Sequence, residues 1–520
     1  MHFSTARTLL RVCTALLCVA MCTPTVAQPS ALLDEQNIRK AAVASFPEFL
    51  EFLALPNDAQ VPGDDMRRNA QWLVPALKTR GFEVRTVENN GRPILFAGLA
   101  PDPTRKTVIF YFHFDGQPVD PSQWSQPSPW TPVLKQPARD GSWSAIDVQQ
   151  LLRQDFNPEY RIFARSASDD KGPILMFLAA LDLMRAQGVS PSVNVKLILD
   201  SEEEISSAGL ADAIRQEAAF LQADALIIHD GPGHPSGRPT AVFGNRGAQS
   251  LVLTVFGPKA PQHSGHFGNY LPNPAFNLAR LLASMKDADG RVVIPGYYAR
   301  TRISEDDRRV LAAVGDDEAA IRARIGFAAG ERVGTNLQEA LQYPSLNIRG
   351  MAAGGIGKLG ANIIPRDAIA EIDIRTTVEA DGTYLLDLLR TFVEQQGYLL
   401  LDREPNDAER SRYPLIARIE AGKQAQAARQ PMNAPVRHWV ERALVHAHKD
   451  AAGSPQPVLL RSMGGTIPTR EIVAPLDVPF ALVSVVNADN NQHAYDENLR
   501  MGNYVSGMRS MLGLLTTPYP

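Results

Sequence analysis

The residues best suited to chemistry in this 520-residue chain stand at the ends of apolar runs. Thr107-Val-Ile-Phe-Tyr-Phe-His-Phe-Asp-Gly-Gln-Pro118 reads as a buried strand that finishes in a histidine, a carboxylate and a turn. His113 and Asp115 are two apart, so on an extended strand their side chains leave the same face. A carboxylate beside an imidazole can fix its tautomer for a metal. Acids recur in the same setting. Ser168-Asp-Asp-Lys-Gly-Pro173 follows a short strand at 161–164 and opens a helical run over 174–186. A strand at 193–199 runs into Asp200-Ser-Glu-Glu-Glu204, one at 225–228 into His229-Asp230, and one at 480–486 precedes His493. Any one of these acids, alone, is ordinarily a helix N-cap or a solvated loop charge. Five strands of one α/β sheet, each delivering an acid or a histidine at the same end, predict a ligand-binding edge. Carboxylate oxygens and imidazole nitrogens, with no thiolate, suit zinc, manganese or cobalt in a hydrolytic site. One carboxylate shared by two ions makes a two-metal site.

The elements that must position these residues follow from periodicity. Helices are expected at 33–53 and 66–80, the second closed by Gly81, and short strands at 82–86 and 94–97. The segment 119–160, with Trp124, Trp130 and Trp143 among prolines and glycines, is either a lid or specificity loop or a packed insertion covering the sheet edge. From Ser250 the pattern changes: a strand at 250–256, a helix at 273–285, strands at 345–349 and 368–375, and a helix at 384–396. Two helices with antiparallel strands predict a ferredoxin-like α+β domain inserted into the first, with 303–339 as further helices of the same unit. The chain returns to the first domain within the polar stretch 403–435 and ends in helices at 436–448 and 501–515. The expected division is 28–248 and 421–520 for the catalytic domain and 249–420 for the inserted lid.

Residues 1–27 read as an export signal, with Arg7 and Arg11 before an apolar stretch at 12–21 and Thr25-Val-Ala27 before Gln28. The apolar stretch is too short to span a bilayer. Cleavage and a secreted or periplasmic location are therefore expected. All three cysteines, Cys13, Cys18 and Cys22, fall inside this segment, so the core of the mature chain must hold without disulfides. A formal net charge of −4 gives no footprint for nucleic acid or an anionic membrane.

His113-Phe-Asp-Gly-Gln-Pro118, Ser168-Asp-Asp-Lys-Gly-Pro173, Glu203-Glu-Ile-Ser-Ser207, Asp230 and His493 together resemble, in order and spacing, the M20 metallopeptidases. That group includes carnosinase-like dipeptidases, glutamate carboxypeptidases and N-acyl amino acid deacylases. The resemblance implies a zinc-peptidase-like catalytic domain with a mixed, mostly parallel sheet, a lid that also makes a homodimer, and two Zn2+, for which Mn2+ or Co2+ can substitute. It assigns His113 and Asp230 to one ion, Glu204 and His493 to the other, and Asp169 as the bridge. Asp115 would orient His113, Glu203 would be the general base, and the Asp169–Asp170 peptide would be cis. Ser206 and the segment Ala164-Arg-Ser166 depart from glycines of the family pattern. In the lid, Gln262-His-Ser-Gly265 resembles a family motif whose histidine, here His263, would reach the partner subunit's site. Arg375 occupies the place that holds a substrate carboxylate in carnosinase-like members, and Gly465 and Thr466 of Arg461-Ser-Met-Gly-Gly-Thr-Ile-Pro468 would offer backbone approach, hydroxyl and amide to it. Asn362, also expected to bind substrate, stands where those enzymes carry a threonine. The implied function is hydrolysis of dipeptides or short peptides. An N-acyl amino acid deacylase with the same metal core is the alternative, and a non-catalytic peptide-binding protein a third reading.

Overall fold

The computed structural model describes residues 1–2, 32–61, 63–451, 453–466 and 469–520. The expected signal at 1–27 lies, beyond its first two residues, outside them. No helix among the described residues is long and apolar enough to cross a membrane.

Apolar runs build the centre of the catalytic domain. Its eight-stranded sheet contains β1 (Glu83–Val87), β2 (Ile94–Gly98), β3 (Thr107–His113), β7 (Asn194–Asp200), β8 (Ala225–Ile228), β9 (Thr240–Val242), β19 (Val458–Leu460) and β20 (Phe480–Ser484). The order is β1-β2-β7-β3-β8-β20-β9-β19. Its middle, β7-β3-β8-β20, is parallel. Both faces of β3 are covered, which is why its sequence is apolar at consecutive positions. Val108, Phe110 and Phe112 enter one core, where Phe110 and Phe112 meet Phe177 of helix Lys171–Ala186 at 4.9 and 5.4 Å. Ile109 and Tyr111 enter the core on the opposite face.

The expectation of five strands in one sheet needs correction. β4 (Val133–Pro137), β5 (Trp143–Ala145), β6 (Arg161–Phe163) and β21 (Asn498–Arg500) form a separate four-stranded sheet, ordered β21-β6-β4-β5. The strand before Asp169 therefore does not belong to the central sheet. This second sheet also accounts for the 119–160 segment, which is packed rather than free. Trp143 lies against Phe163 at 5.4 Å and under the Arg161 guanidinium at 4.6 Å, and Trp124 is buried. The insertion thus braces the strands flanking Asp169 and His493.

The lid holds β11 (Gly247–Phe256), β13 (Ser345–Ala352), β15 (Asp367–Thr376), β16 (Leu399–Leu401) and β17 (Ile416–Ala425) in the order β13-β15-β11-β17-β16. β11, β13, β15 and β17, with helices Pro274–Ala283 and Gly382–Gln395, follow the ferredoxin-like β-α-β-β-α-β path, and β16 adds a fifth strand parallel to β17. Alternation sorts the faces: Ala368, Ala370, Ile372 and Ile374 of β15 enter the lid core, while Asp373 and Arg375 point to the other side. β17 pairs with β11 as far as Ala425, so the lid ends later than residue 420. Short ladders add β12 (Gln262–His263) to β14 (Ile363–Ile364) and β10 (Gly244–Asn245) to β18 (Ala428–Arg429). The helices expected at 303–339 form, but they join lid to catalytic domain instead of belonging to the lid alone. Asp307 pairs with Arg461 at 3.2 Å and Asp316 with His234 at 3.0 Å.

Candidate metal centre

His113, the last residue of β3, is fully buried and its Nε2 lies 2.8 Å from Asp169 Oδ1. The other oxygen of Asp169 lies 3.2 Å from His493 Nε2, which is also 3.4 Å from Glu204 Oε2. The possible ligand atoms of His113, Asp169 and Asp230 lie within 4.8 Å of one another, and so do those of Asp169, Glu204 and His493. Two three-residue groups therefore share one carboxylate. The peptide between Asp169 and Asp170 is cis.

Asp115 ties the two groups to each other. Its Oδ1 is 3.3 Å from His113 Nδ1 and accepts the Glu203 N–H at 3.1 Å, and its Oδ2 accepts the Glu204 N–H at 3.0 Å. A single carboxylate thus sets one imidazole and the 3-10 turn Glu203–Ile205 that carries both glutamates. The turn ends at Ser206, at φ +79°, and Ser166 before Asp169 lies at φ +60°. Both serines, standing where the family pattern has glycine, keep the left-handed backbone that glycine adopts freely. Ser166 is held there by the Asn57 amide on its hydroxyl at 2.9 Å and by Glu497 on its N–H at 2.9 Å.

Crowding perturbs Asp169, Glu203, Glu204 and Asp230. Burial, and then the charge of Asp230, raise Glu203 well above the carboxylate range. Burial and Asp169 push Glu204 up to about 8 and Asp230 up to about 6. Asp169 resists its own burial because His113 and His493 hydrogen-bond to it, and it stays below the ordinary range. The Asp169 contact raises His493 to about 9. Burial opposes charge on His113, but Asp115 and Asp169 outweigh it and hold the imidazole well above its usual value. So many buried carboxylates in contact are relieved by cations, and the oxygen and nitrogen donors fit zinc, manganese or cobalt.

Sequence reasoning missed Glu497, Arg165 and Gln117. Glu497 is fully buried and accepts N–H bonds from Ser166, Ser168 and Asp169 at 2.9 to 3.0 Å, together with the Arg165 guanidinium at 2.8 Å. It fastens the backbone that presents the shared carboxylate. Gln117 donates to Glu204 Oε2 at 2.7 Å. The signal for Glu497 was its place four residues after His493, which is silent about a partner more than 300 residues earlier in the chain.

The remaining predicted residues form two further groups. Arg375 Nη1 donates to Thr466 Oγ1 at 3.0 Å, joining lid to catalytic domain beside Gly465, and its Nε faces Asp373 at 3.3 Å. His263 and Asn362 meet on the lid, where the Ser264 N–H donates to the Asn362 carbonyl at 2.9 Å. Both are exposed, and the His263 ring accepts only a local bond, from the Gly265 N–H at 3.0 Å. The structure does not bring this pair to the metal centre of its own chain.

Residues 109–517 match the model of peptidase family M20/M25/M40. The chain is similar to the Cys-Gly metallodipeptidase DUG1 of Candida albicans, with 24% identity over 90% of this chain and 94% of that protein. It is also similar to the Beta-Ala-His dipeptidase of Homo sapiens, with 29% identity over 54% of this chain and 52% of that protein. Among solved structures, the M20 family metallo-carboxypeptidase Sso-CP2 of Sulfolobus solfataricus superimposes with a TM-score of 0.68 at 25% identity, over 91% of this chain and 98% of that one.

Proposed function

This chain belongs to peptidase family M20/M25/M40, and from that premise we propose that it is an exported two-metal dipeptidase acting on substrates with a free C-terminal carboxylate. The observation that carries the reading is the shared carboxylate of Asp169, one oxygen toward His113 and the other toward His493. His113 and Asp230 would hold one cation and Glu204 and His493 the second, with Asp169 between them; zinc fits the donors, with manganese or cobalt as substitutes. When bound, such cations supply Lewis acidity and acidify a water at neutral pH.

The chain's own residues do the rest. Asp115 holds Nδ1 of His113, which leaves Nε2 for a cation, and through the Glu203 and Glu204 amides it fixes the turn carrying the base. Glu203, carried on that turn beside the cluster, accepts the proton of the attacking water and passes it to the leaving amine. Arg375 and Thr466, already in contact, present a guanidinium and a hydroxyl to the substrate carboxylate, with the Gly465 amide beside them. The activities in the relatives' names, on Cys-Gly and Beta-Ala-His, support a dipeptide-sized substrate.

The same reading makes the protein a homodimer through the lid. β13 is an edge strand, and the stretches around it and the β12–β14 ladder expose Tyr270, Ile348, Met351, Ile356 and Leu359, which a second copy would cover. His263 and Asn362 belong to that ladder region and would complete the partner subunit's site. The basic, apolar and small-residue pattern of 1–27 supports export to a periplasm or the exterior.

The test is mass-spectrometric cleavage of free dipeptides, tripeptides and N-acyl amino acids by the zinc-loaded mature protein, beside a chelated control. Free dipeptides are expected to be cleaved. Turnover of N-acyl amino acids alone would make it a deacylase on the same centre, and no turnover above the control would overturn both.

A further inference from the structure

We infer that Arg246 is a specificity-determining residue of the substrate site, selecting dipeptides whose C-terminal residue carries a second carboxylate, aspartate or glutamate. The inference rests on the dipeptidase reading and adds to it the class of the C-terminal side chain.

A cavity of about 610 Å³ opens in the lid, between β13 and the segment 318–343, and both Arg246 and Arg375 line it. That size lies within the range of small-molecule sites, roughly 300–1,000 Å³. The pairing explains why the two guanidiniums share one wall. Ala248 of β11 stands opposite Arg375 of β15, and Arg246 precedes Ala248 by two residues. Side chains two apart share a face, so Arg246 is the diagonal neighbour of Arg375, a step of about 7–8 Å across the ladder.

The charges of this cavity are matched except at one place. Lys286 pairs with Glu331 at 2.6 Å, Arg322 with Glu318 at 3.6 Å, Arg332 with Asp289 at 3.3 Å and Arg375 with Asp373 at 3.3 Å. Arg246 makes no ion pair among the described residues although it is only 6% exposed. Its Nη2 donates to the Tyr343 carbonyl at 3.3 Å, and its buried Nε has no partner. A guanidinium removed from water without a counter-charge is unfavourable, and a ligand carboxylate relieves it through two parallel bonds. Arg375, bound to Thr466 of the catalytic domain, suits the α-carboxylate; Arg246, one diagonal step away and short of a partner, suits a second. A neutral C-terminal side chain would enter the same cavity and leave Arg246 buried and unmatched.

The substrate pair that isolates this charge is Ala-Glu and Ala-Gln, equal in shape. For the zinc-loaded enzyme, kcat/KM is expected to favour Ala-Glu by roughly 10- to 100-fold, the range of a charged hydrogen bond. In Arg246→Met the ratio should fall to about one, chiefly through a higher KM for Ala-Glu, and Arg246→Lys should keep part of it. A parent ratio near one, or a ratio unchanged in Arg246→Met, overturns the inference. If Arg246→Met does not fold, the parent ratio alone decides. If neither dipeptide is cleaved but N-acyl amino acids are, the dipeptidase reading has failed separately, and the ratio of N-acetyl-Glu to N-acetyl-Gln turnover then tests Arg246 by the same two outcomes.

Discussion

The metal cluster of the catalytic domain and the arginine-lined cavity of the lid are charged in opposite senses and incomplete in opposite ways. On the catalytic side, Asp115, Asp169, Glu203, Glu204 and Asp230 crowd around two imidazoles, and burial with mutual repulsion lifts Glu204 to about 8 and Asp230 to about 6. On the lid side, Arg246 and Arg375 share one cavity, and burial with the repulsion of Arg375 lowers Arg246 to about 10, still charged at neutral pH. The first surface is short of cations and the second is short of an anion. On the proposed function, cations would stay at the first through many turnovers, whereas the anion at the second would arrive and leave with each substrate. Damage on the catalytic side should therefore appear in kcat or metal content, and damage on the lid side in KM.

Glu203→Gln gives the largest expected effect and the sharpest test of that division. The substitution keeps the shape and removes the proton acceptor, so kcat should fall by about 10²- to 10⁴-fold. Elemental analysis should still find two metals per chain. Loss of metal would show that Glu203 is a ligand, and a rise in KM with kcat intact would break the division itself.

Glu497→Gln comes next, because Glu497 is fully buried and acts through the Arg165 guanidinium and the backbone N–H groups of Ser166, Ser168 and Asp169. Weakening that support should lower metal affinity by about 10- to 100-fold, read by titration against a competing chelator. At saturating metal, most of the activity should return. Unaltered affinity would mean that the cluster holds Asp169 without the Glu497 carboxylate.

How far each surface could be read from sequence follows the same split. The ends of β3, β7 and β8 were legible because each is a local pattern, an apolar run that stops at an acid, and the three lie parallel in one sheet. β6 looked alike but pairs with β21, more than 300 residues away, and no local periodicity reports such a pairing. Glu497 was invisible because it works through N–H groups that every residue carries. The end of the lid was misplaced because β17 is buried only as far as Ile419 and exposed over its following residues, so its second half has the composition of a linker. Arg246 reads as an ordinary strand-edge arginine until the segment 318–343 folds over it. The substitutions of glycine by Ser166 and Ser206 were legible as departures, but that Ser166 keeps a positive φ depended on Asn57 and Glu497, far away in the chain.

The smallest predicted effect concerns a buried titratable group that belongs to neither surface. His448 ends helix Pro435–His448, is 3% exposed, and faces the Ser510 hydroxyl at 2.9 Å. Burial, assisted by Arg509, pushes it down to about 3 from 6.5. Between those values the unfolded chain binds a proton that the folded chain refuses, so stability falls as the pH is lowered through this window. From pH 7 to pH 5 the loss due to His448 should be about 2 kcal/mol. His229, pushed down to about 4 by burial, acts in the same direction. In the metal-free protein the raised carboxylates Asp230 and Glu204 act oppositely, since the folded state keeps their protons longer and loses stability as the pH rises past about 4 toward 8. Comparing His448→Gln with its parent at equal metal loading cancels the contributions of His229 and the cluster. Urea unfolding at pH 7 and pH 5 should then show a smaller acid loss in the variant by about 2 kcal/mol. Equal losses in both would place the proton uptake at another group and leave His448 open to water in the folded protein.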